Sequence, residues 1–228
     1  ELPLFMQTLM GYPALQSGLT QSPRGVAAFI TTFIVGRLVG RIGNRYLLCF
    51  GFGLLAYSAW MLSSINLQVS ALSVIFPSVL NGVAISFIFV PLTTITMGYL
   101  AQNQIGNASG LYNLMRNLGG SMGIAFVTTM LARGAQKHEA LMVAHMTPTD
   151  PAFTHQLALA EHALARQTDP VTATGQAYSL LYQTLDSQAH LWAFVDNFRL
   201  FCLLALGCVP LVFLFKRVSR PPASAGAH

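Results

Sequence analysis

From Tyr46 to Met115 the sequence contains no Asp, Glu, Lys, Arg or His, a run of seventy residues. One helical crossing of a bilayer takes about 20 apolar residues. The run therefore predicts two complete crossings, a tight hairpin between them and the beginning of a third. Composition leads to the same class, because only 8% of the residues are charged, against about 25% in a soluble domain. We expect an integral membrane protein built from helices.

The apolar segments predict an all-α, polytopic membrane helical bundle with six spans. The first residues look like the end of a span already under way, so we interpret the chain as a fragment of a longer protein. The fourth span contains Pro77 and Pro91, which neighbouring helices tolerate by satisfying the freed carbonyls. The predicted spans are a truncated one ending near Gly11 and Tyr12, then Ser22–Val39, Tyr46–Ile65, one within Val69–Leu100, Ala108–Leu131 and Leu191–Phe215.

One region, residues 132–190, has the composition of a soluble segment, and all acidic residues except Glu1 lie between Glu139 and Asp196. Asp150 and Pro151 are typical of a helix start. An apolar stripe from residue 178 to residue 192 indicates a second amphipathic helix at the membrane surface; a partly disordered loop is the alternative. The predicted organisation is five spans in 1–131, an extracytoplasmic loop in 132–190, the last span in 191–215 and a cytoplasmic tail in 216–228.

Two clusters of basic residues fix the expected orientation. Short loops rich in Lys and Arg stay on the cytoplasmic side of a membrane. Four predicted spans separate the clusters, and an even number places both on the same side. We therefore expect a multi-pass protein of the cytoplasmic (inner) membrane with a cytoplasmic C-terminus. The clusters are Arg37, Arg41 and Arg45, and Lys216, Arg217 and Arg220.

The first cluster also contains regularly spaced glycines, in the stretch GRLVGRIGNR. Glycine permits tight turns and close approach of helices, and the arginine fork suits helix carbonyls or a neighbouring carboxylate. This combination predicts a gating loop between two moving helices; a simple positive-inside anchor with small residues for packing is the alternative. The loop residues are Gly36, Arg37, Gly40, Arg41, Gly43 and Arg45.

Several separated motifs resemble one family. The hairpin is similar to the cytoplasmic loop signature of the major facilitator superfamily. The segments GYPALQSGLTQSPRG, FVPLTT, GLYNLMRNLGGSMGIA and SQAHLWAFVDNFRLF resemble the EmrB/QacA branch of drug:proton antiporters, which have fourteen spans. The resemblance implies the C-terminal six-helix bundle of such a transporter. In this family the loop usually carries an acidic residue, and here Gly40 stands near that place. This departure implies a packing role for the loop and not a charge relay.

Three charged residues lie in or near predicted spans. Arg116 lies inside the fifth span, where a charge needs a partner or a wet cavity; we interpret it as a gating or packing cation, with snorkelling to the cytoplasmic surface as the alternative. Asp196 and Arg199 are three residues apart on one helix face and are expected to pair. A proton-carrying role for Asp196 is the less favoured interpretation.

Polar and aromatic side chains at membrane depth are candidates for the wall of a drug-binding cavity. Hydrogen bonding between helices is the competing interpretation. The candidates are Asn81, Phe87, Phe89, Thr93, Tyr112, Asn113 and Asn117.

No motif indicates an enzyme, since the sequence lacks a phosphate-binding loop, a Gly-x-Ser-x-Gly elbow and a His-Glu-x-x-His helix. Five of the six histidines fall in the 132–190 region, but their spacings fit no ligand pattern, so we expect no metal site and no cofactor. The three cysteines lie in apolar runs and are interpreted as small core residues. The basic loops account for the net positive charge, and nucleic acid is not an expected partner.

The resemblance implies a proton-driven multidrug efflux transporter that exchanges hydrophobic, often cationic, drugs for protons across the inner membrane. Drugs, protons and membrane lipid are the implied partners, and a resemblance to Gram-negative pumps adds a periplasmic adaptor and an outer-membrane channel. Two alternatives remain: an exporter of an endogenous metabolite from the same superfamily, and a non-transporting membrane sensor or assembly module.

Overall fold

In a computed structural model of the chain, the described residues are 6–7, 11–64, 71–98, 104–147, 149–165 and 169–214. They form six long helices and no strand. The helices are α1 (Ala14–Leu38), α2 (Asn44–Leu62), α3 (Ala71–Met97), α4 (Ile105–Val143), α5 (Pro151–Leu164) and α6 (Pro170–Leu214). The expected all-α membrane bundle is confirmed.

Three of these helices are long and apolar enough to cross a membrane: Asn44–Leu62, Ser73–Met97 and Thr172–Phe213, as far as the described residues extend. They coincide with the third, fourth and sixth predicted spans. The second and fifth predicted spans lie in α1 and α4, which are helical but less apolar. The first predicted span and the basic cluster after the last span fall almost entirely outside the described residues.

Two helices are longer than the sequence pattern predicts. α4 continues beyond Leu131 to Val143, and α6 begins at Pro170 and runs without interruption into the last span. The separate amphipathic helix expected before residue 191 is therefore the first half of α6. Between Gln176 and Leu206 there is no glycine or proline to end the helix. α5 begins at Pro151, as the Asp150–Pro151 pair predicts.

The chain divides into two compact units, which we describe separately. Unit 1 contains Gly120–Phe198, with the second part of α4, all of α5 and the first part of α6. Unit 2 contains Gly18–Leu62 and Ser70–Gly119, with most of α1, all of α2 and α3, and the first part of α4.

In unit 2, α3 packs against α2 through a glycine. A Cβ atom placed on Gly51 of α2 would lie 2.8 Å from Cγ1 of Ile88 and 3.0 Å from Cβ of Phe87. The rings of Phe50 and Phe87 meet edge to face with their centroids 4.9 Å apart. The buried hydroxyl of Ser58 donates a hydrogen bond of 2.8 Å to the carbonyl of Pro77. Small residues thus let the two backbones approach closely, as in other membrane helix pairs.

The opposite face of α3 meets α1 even more closely. A Cβ atom on Gly82 would overlap the backbone oxygen of Arg24. One turn further along, the hydroxyl of Ser86 donates to the carbonyl of Ala28 at 2.9 Å, and Thr32 donates to Ser86 at 3.2 Å. α3 is therefore held on two faces, by α1 and by α2, and forms the centre of unit 2.

Candidate functional site

The most distinctive contact in unit 2 joins a charge to an aromatic ring. The guanidinium of Arg116, on α4, lies over the ring of Phe89, on α3, with Cζ 4.8 Å from the ring centroid. An arginine at this distance is attracted by the ring's quadrupole, by about 0.5–1 kcal/mol at exposed sites and about 2 kcal/mol when desolvated. Both side chains are exposed in this structure. The contact brings together an expected intramembrane charge and an expected cavity residue.

The threonines beside this contact are satisfied by their own helix. The hydroxyl of Thr93 donates to the carbonyls of Phe89 and Val90, and Thr94 donates to Val90 at 2.8 Å. Among the described residues these bonds stay within α3, whereas the competing interpretation for Thr93 is a hydrogen bond to another helix.

The remaining cavity candidates do not share one face. Phe87 and Phe89 are two residues apart, so they point about 200° apart around α3, and Phe87 packs against α2 as described above. Asn81 and Tyr112 are half-buried, and Asn113 and Asn117 are exposed on α4. The structure thus separates Phe87 from the Arg116–Phe89 contact, and whether the others line a drug cavity stays a prediction.

The arginine loop connects α1 to α2 by a short turn. Arg41 N and Ile42 N both donate to the carbonyl of Leu38, at 2.9 and 2.8 Å. None of the three loop glycines has a left-handed φ. A Cβ atom placed on Gly36 or Gly40 would meet nothing within 4 Å. A Cβ atom on Gly43 would meet only the ring of Tyr46, at 3.4 Å. The turn itself does not need glycine at these positions. The close helix approach that glycines permit finds no partner here among the described residues of this chain.

Arg45, the last arginine of that loop, is half-buried near the start of α2. Its Nε atom is buried without a hydrogen-bond partner among the described residues. Arg37 and Arg41 are exposed. A role for the loop in gating stays a prediction.

In unit 1, Asp196 has a partner that the sequence pattern did not indicate. Nε2 of His138, on α4, donates to Oδ2 of Asp196, on α6, at 2.8 Å. The rings of His138 and Trp192 lie 6.4 Å apart. One turn earlier on α4, a Cβ atom on Gly134 would lie 3.1 Å from Cβ of Ala193, so the two helices approach closely beside this pair. The expected pairing of Asp196 with Arg199 stays a prediction.

We expect the His138–Asp196 pair to contribute about 0.2–1 kcal/mol to the stability of the full-length protein, as partly exposed ion pairs do. Because Asp196 makes a further interaction, single substitutions are not sufficient. A double-mutant cycle with His138→Asn and Asp196→Asn isolates the pair. Thermal unfolding in detergent is the measurement.

The matched control is the pair of His190 and Asp186, one turn apart on α6 with a longer separation of 3.6 Å. A cycle on that pair should give a smaller coupling energy. Strictly additive effects of His138→Asn and Asp196→Asn would contradict the contact.

Cys49, Cys202 and Cys208 are free and half-buried. In the part of the chain that the structure describes, no three His, Cys, Asp or Glu residues gather as a metal site.

Comparison with known proteins assigns the family. The family model of the Major Facilitator Superfamily matches residues 1–124, more than half of the chain. The chain belongs to the major facilitator superfamily. The matched region includes the arginine loop, all of α2 and α3, and Arg116.

Named relatives agree with the resemblance to the EmrB branch. The chain is 28% identical to the fatty acid resistance protein FarB of Neisseria gonorrhoeae over 99% of its own length and 42% of the relative's. It is 31% identical to the multidrug export protein EmrB of Haemophilus influenzae, over 68% of this chain and 31% of that protein. It is also 31% identical to EmrB of Escherichia coli, over 66% of this chain and 30% of that protein. The chain therefore spans less than half the length of each of these relatives.

Two features of the site were missed by sequence reasoning. The Gly82–Arg24 approach had no signal beyond a single glycine within a proline-containing span. The His138–Asp196 pair joins residues 58 positions apart, and His138 had been considered only as one of several loop histidines. In both cases the necessary information is which faces of two helices meet.

Proposed function

We propose that this chain is part of a multidrug efflux transporter that exports hydrophobic compounds, often cationic, in exchange for protons. The observation that carries the proposal is membership of the major facilitator superfamily together with relatives named as multidrug export proteins. Proton coupling is the finer part of the proposal and rests on the resemblance to drug:proton antiporters. Transport would proceed by rocking of one helical bundle against another around a midplane site.

The Arg116–Phe89 contact is the part of this chain that we assign to the substrate pathway. An exposed ring and cation at the same place offer an apolar surface and an electrostatic contact to a flat hydrophobic molecule. We assign the arginine loop to the cytoplasmic side as a conformational element. Asp196 and Arg199 are assigned to the stability of the last span.

The proposed location is the inner membrane, with a cytoplasmic C-terminus, which follows from the charge distribution of the loops. Residues 132–190 would then face the outside, five spans would precede them and one would follow. A periplasmic adaptor and an outer-membrane channel are proposed partners, and the outward segment is where an adaptor would bind.

A second candidate substrate is a fatty acid. The relative aligned over 99% of this chain is named a fatty acid resistance protein. Among the described residues Arg116 contacts an uncharged ring. The positive charge of Arg116 is therefore available to a carboxylate. Export of an endogenous metabolite remains an alternative within transport, and a non-transporting membrane module remains the alternative from a different class.

Transport by the full-length protein in proteoliposomes tests the proposal. A fluorescent hydrophobic dye should move against its gradient when a pH gradient is imposed, and dye addition should release protons measured by a pH-sensitive probe. Dye movement without proton release would retain efflux and reject antiport. Fatty acid movement in place of dye movement would select the second candidate. The absence of both substrate movement and proton flux would support a non-transporting module.

A further inference from the structure

A groove in unit 1 is lined by three soft metal-ligating side chains that the proposed transport function does not use. The chain at the end of α4 reads MVAHM, residues 142–146, and holds two of the nine methionines with a histidine between them. Met142, His145 and Met146 all line the same open groove, whose volume is about 320 Å³.

The backbone at the end of α4 places Met142 and His145 on the same side. The α-helix ends at Val143. His145 N then donates to the carbonyl of Met142 at 3.0 Å, and Met146 N donates to the carbonyl of Val143 at 2.9 Å. These are three-residue turns, in which side chains three positions apart eclipse each other. Met142 and His145, three positions apart, therefore lie on the same side, and Met146, the next residue along the chain, also lines the groove.

The surroundings favour a cation. The C-terminus of a helix carries a partial negative charge on its last carbonyls, which stabilises positive charge nearby. The carboxylate side chain of Asp150 lines the same groove. Phe153 and Leu185, from α5 and α6, supply an apolar wall.

The chemistry of the three side chains determines which cation the groove would bind. Thioethers are soft ligands that select Cu(I), while carboxylates and carbonyls suit Mg²⁺ and Ca²⁺. Two thioethers and one imidazole carry no charge, and with the Asp150 carboxylate the groove holds a single negative charge, which suits a monovalent ion better than a divalent one. We propose that Met142, His145 and Met146 form a binding site for a soft monovalent cation, Cu(I) or its analogue Ag(I).

This site was not expected from the sequence, because only the histidine spacings were considered and they fit no ligand pattern. Methionine is usually a filler of apolar space, and in this groove Met142 and Met146 are half-buried while His145 is exposed. The inference concerns these residues alone and does not depend on the transport proposal.

Silver ion is the probe, added to the purified full-length protein in chloride-free buffer and followed by titration calorimetry. Cysteine thiolates bind silver tightly, so every variant carries Cys49→Ala, Cys202→Ala and Cys208→Ala. The test variant is Met142→Leu with Met146→Leu, which retains apolar volume. A second test variant is His145→Asn, at an exposed position.

The control removes two methionines from the same helix outside the groove, by Met122→Leu and Met130→Leu. The parent and this control should bind one silver ion equally. Both test variants should bind at least about tenfold more weakly, since even the loss of a residue that only orients a ligand has effects of that size in metal sites. Zn²⁺ should bind much more weakly than silver to the parent. X-ray absorption of selenomethionine-labelled protein with Cu(I) should show selenium beside copper.

Three outcomes would overturn the proposal. Equal silver affinity in the parent and the groove variants would show that these residues are not ligands. Equal losses in the control would show unspecific binding by methionine. The absence of silver binding in the cysteine-free parent would leave the groove as an apolar contact surface.

Discussion

Replacing Arg116 by alanine in the full-length protein is expected to lower the rate of drug export about tenfold, while the protein still reaches the membrane. A factor of ten corresponds to about 1.4 kcal/mol, which exceeds the roughly 0.5–1 kcal/mol of an exposed cation–π contact, so the expected loss includes the effect of the charge itself. The guanidinium lies 4.8 Å from the centroid of the Phe89 ring, so the substitution removes both the contact and the charge. Dye efflux from cells with matched membrane levels is the measurement.

Further variants separate the charge from the ring. Arg116→Lys keeps the charge and should retain a substantial part of the activity, while Phe89→Leu keeps the apolar volume and removes the ring. Arg133→Ala is the matched control, because Arg133 is an exposed arginine on the same helix in unit 1. Unchanged efflux in both Arg116→Ala and Phe89→Leu would remove the contact from the proposed substrate pathway.

Replacing Gly82 by alanine is expected to destabilise the protein by about 1–3 kcal/mol, the usual effect of overpacking a tight contact. The new Cβ atom would overlap the backbone oxygen of Arg24 and would lie 3.0 Å from Cγ of the same residue. A backbone oxygen cannot rotate away as a side chain can, so α1 and α3 would have to separate. That separation would also stretch the bond from Ser86 to Ala28. Thermal unfolding of the full-length protein in detergent measures the effect.

Gly25→Ala provides a control of opposite sign on the neighbouring helix. A Cβ atom on Gly25 would meet nothing within 4 Å. Alanine is favoured over glycine inside a helix by about 1 kcal/mol, so this variant should be as stable as the parent or more stable. If Gly82→Ala unfolds at the same temperature as Gly25→Ala, the close approach of α1 and α3 is wrong.

Sequence patterns predicted the features that depend on local composition. The absence of charge between Tyr46 and Met115 predicts membrane helices, and all of α3 and all but the first two residues of α2 lie within that run. The Asp150–Pro151 pair predicts the start of α5, because proline lacks the amide hydrogen that the first turn of a helix does not use. Motif resemblance predicted the superfamily, which the match over residues 1–124 confirmed.

Features that depend on which helix faces meet could not be predicted from the sequence. Phe87 and Phe89 have the same chemistry and almost the same position, yet one packs against α2 and the other contacts Arg116. Gly82 requires a close neighbour, whereas Gly36 and Gly40 have open space around them, and nothing in the residue type distinguishes them. The length of α6 was underestimated because its polar first half and apolar second half have different compositions within one continuous helix.

The partner of Arg116 has a consequence for the energetics of transport. A ring attracts a cation but carries no net charge, so the contact with Phe89 leaves the positive charge of Arg116 uncancelled. In the proposed topology this charge lies within the electric field of the membrane, where moving one elementary charge across 100 mV takes about 2.3 kcal/mol. Any conformational step that displaces this part of α4 along the membrane normal would therefore depend on voltage, in proportion to the fraction of the field that Arg116 crosses.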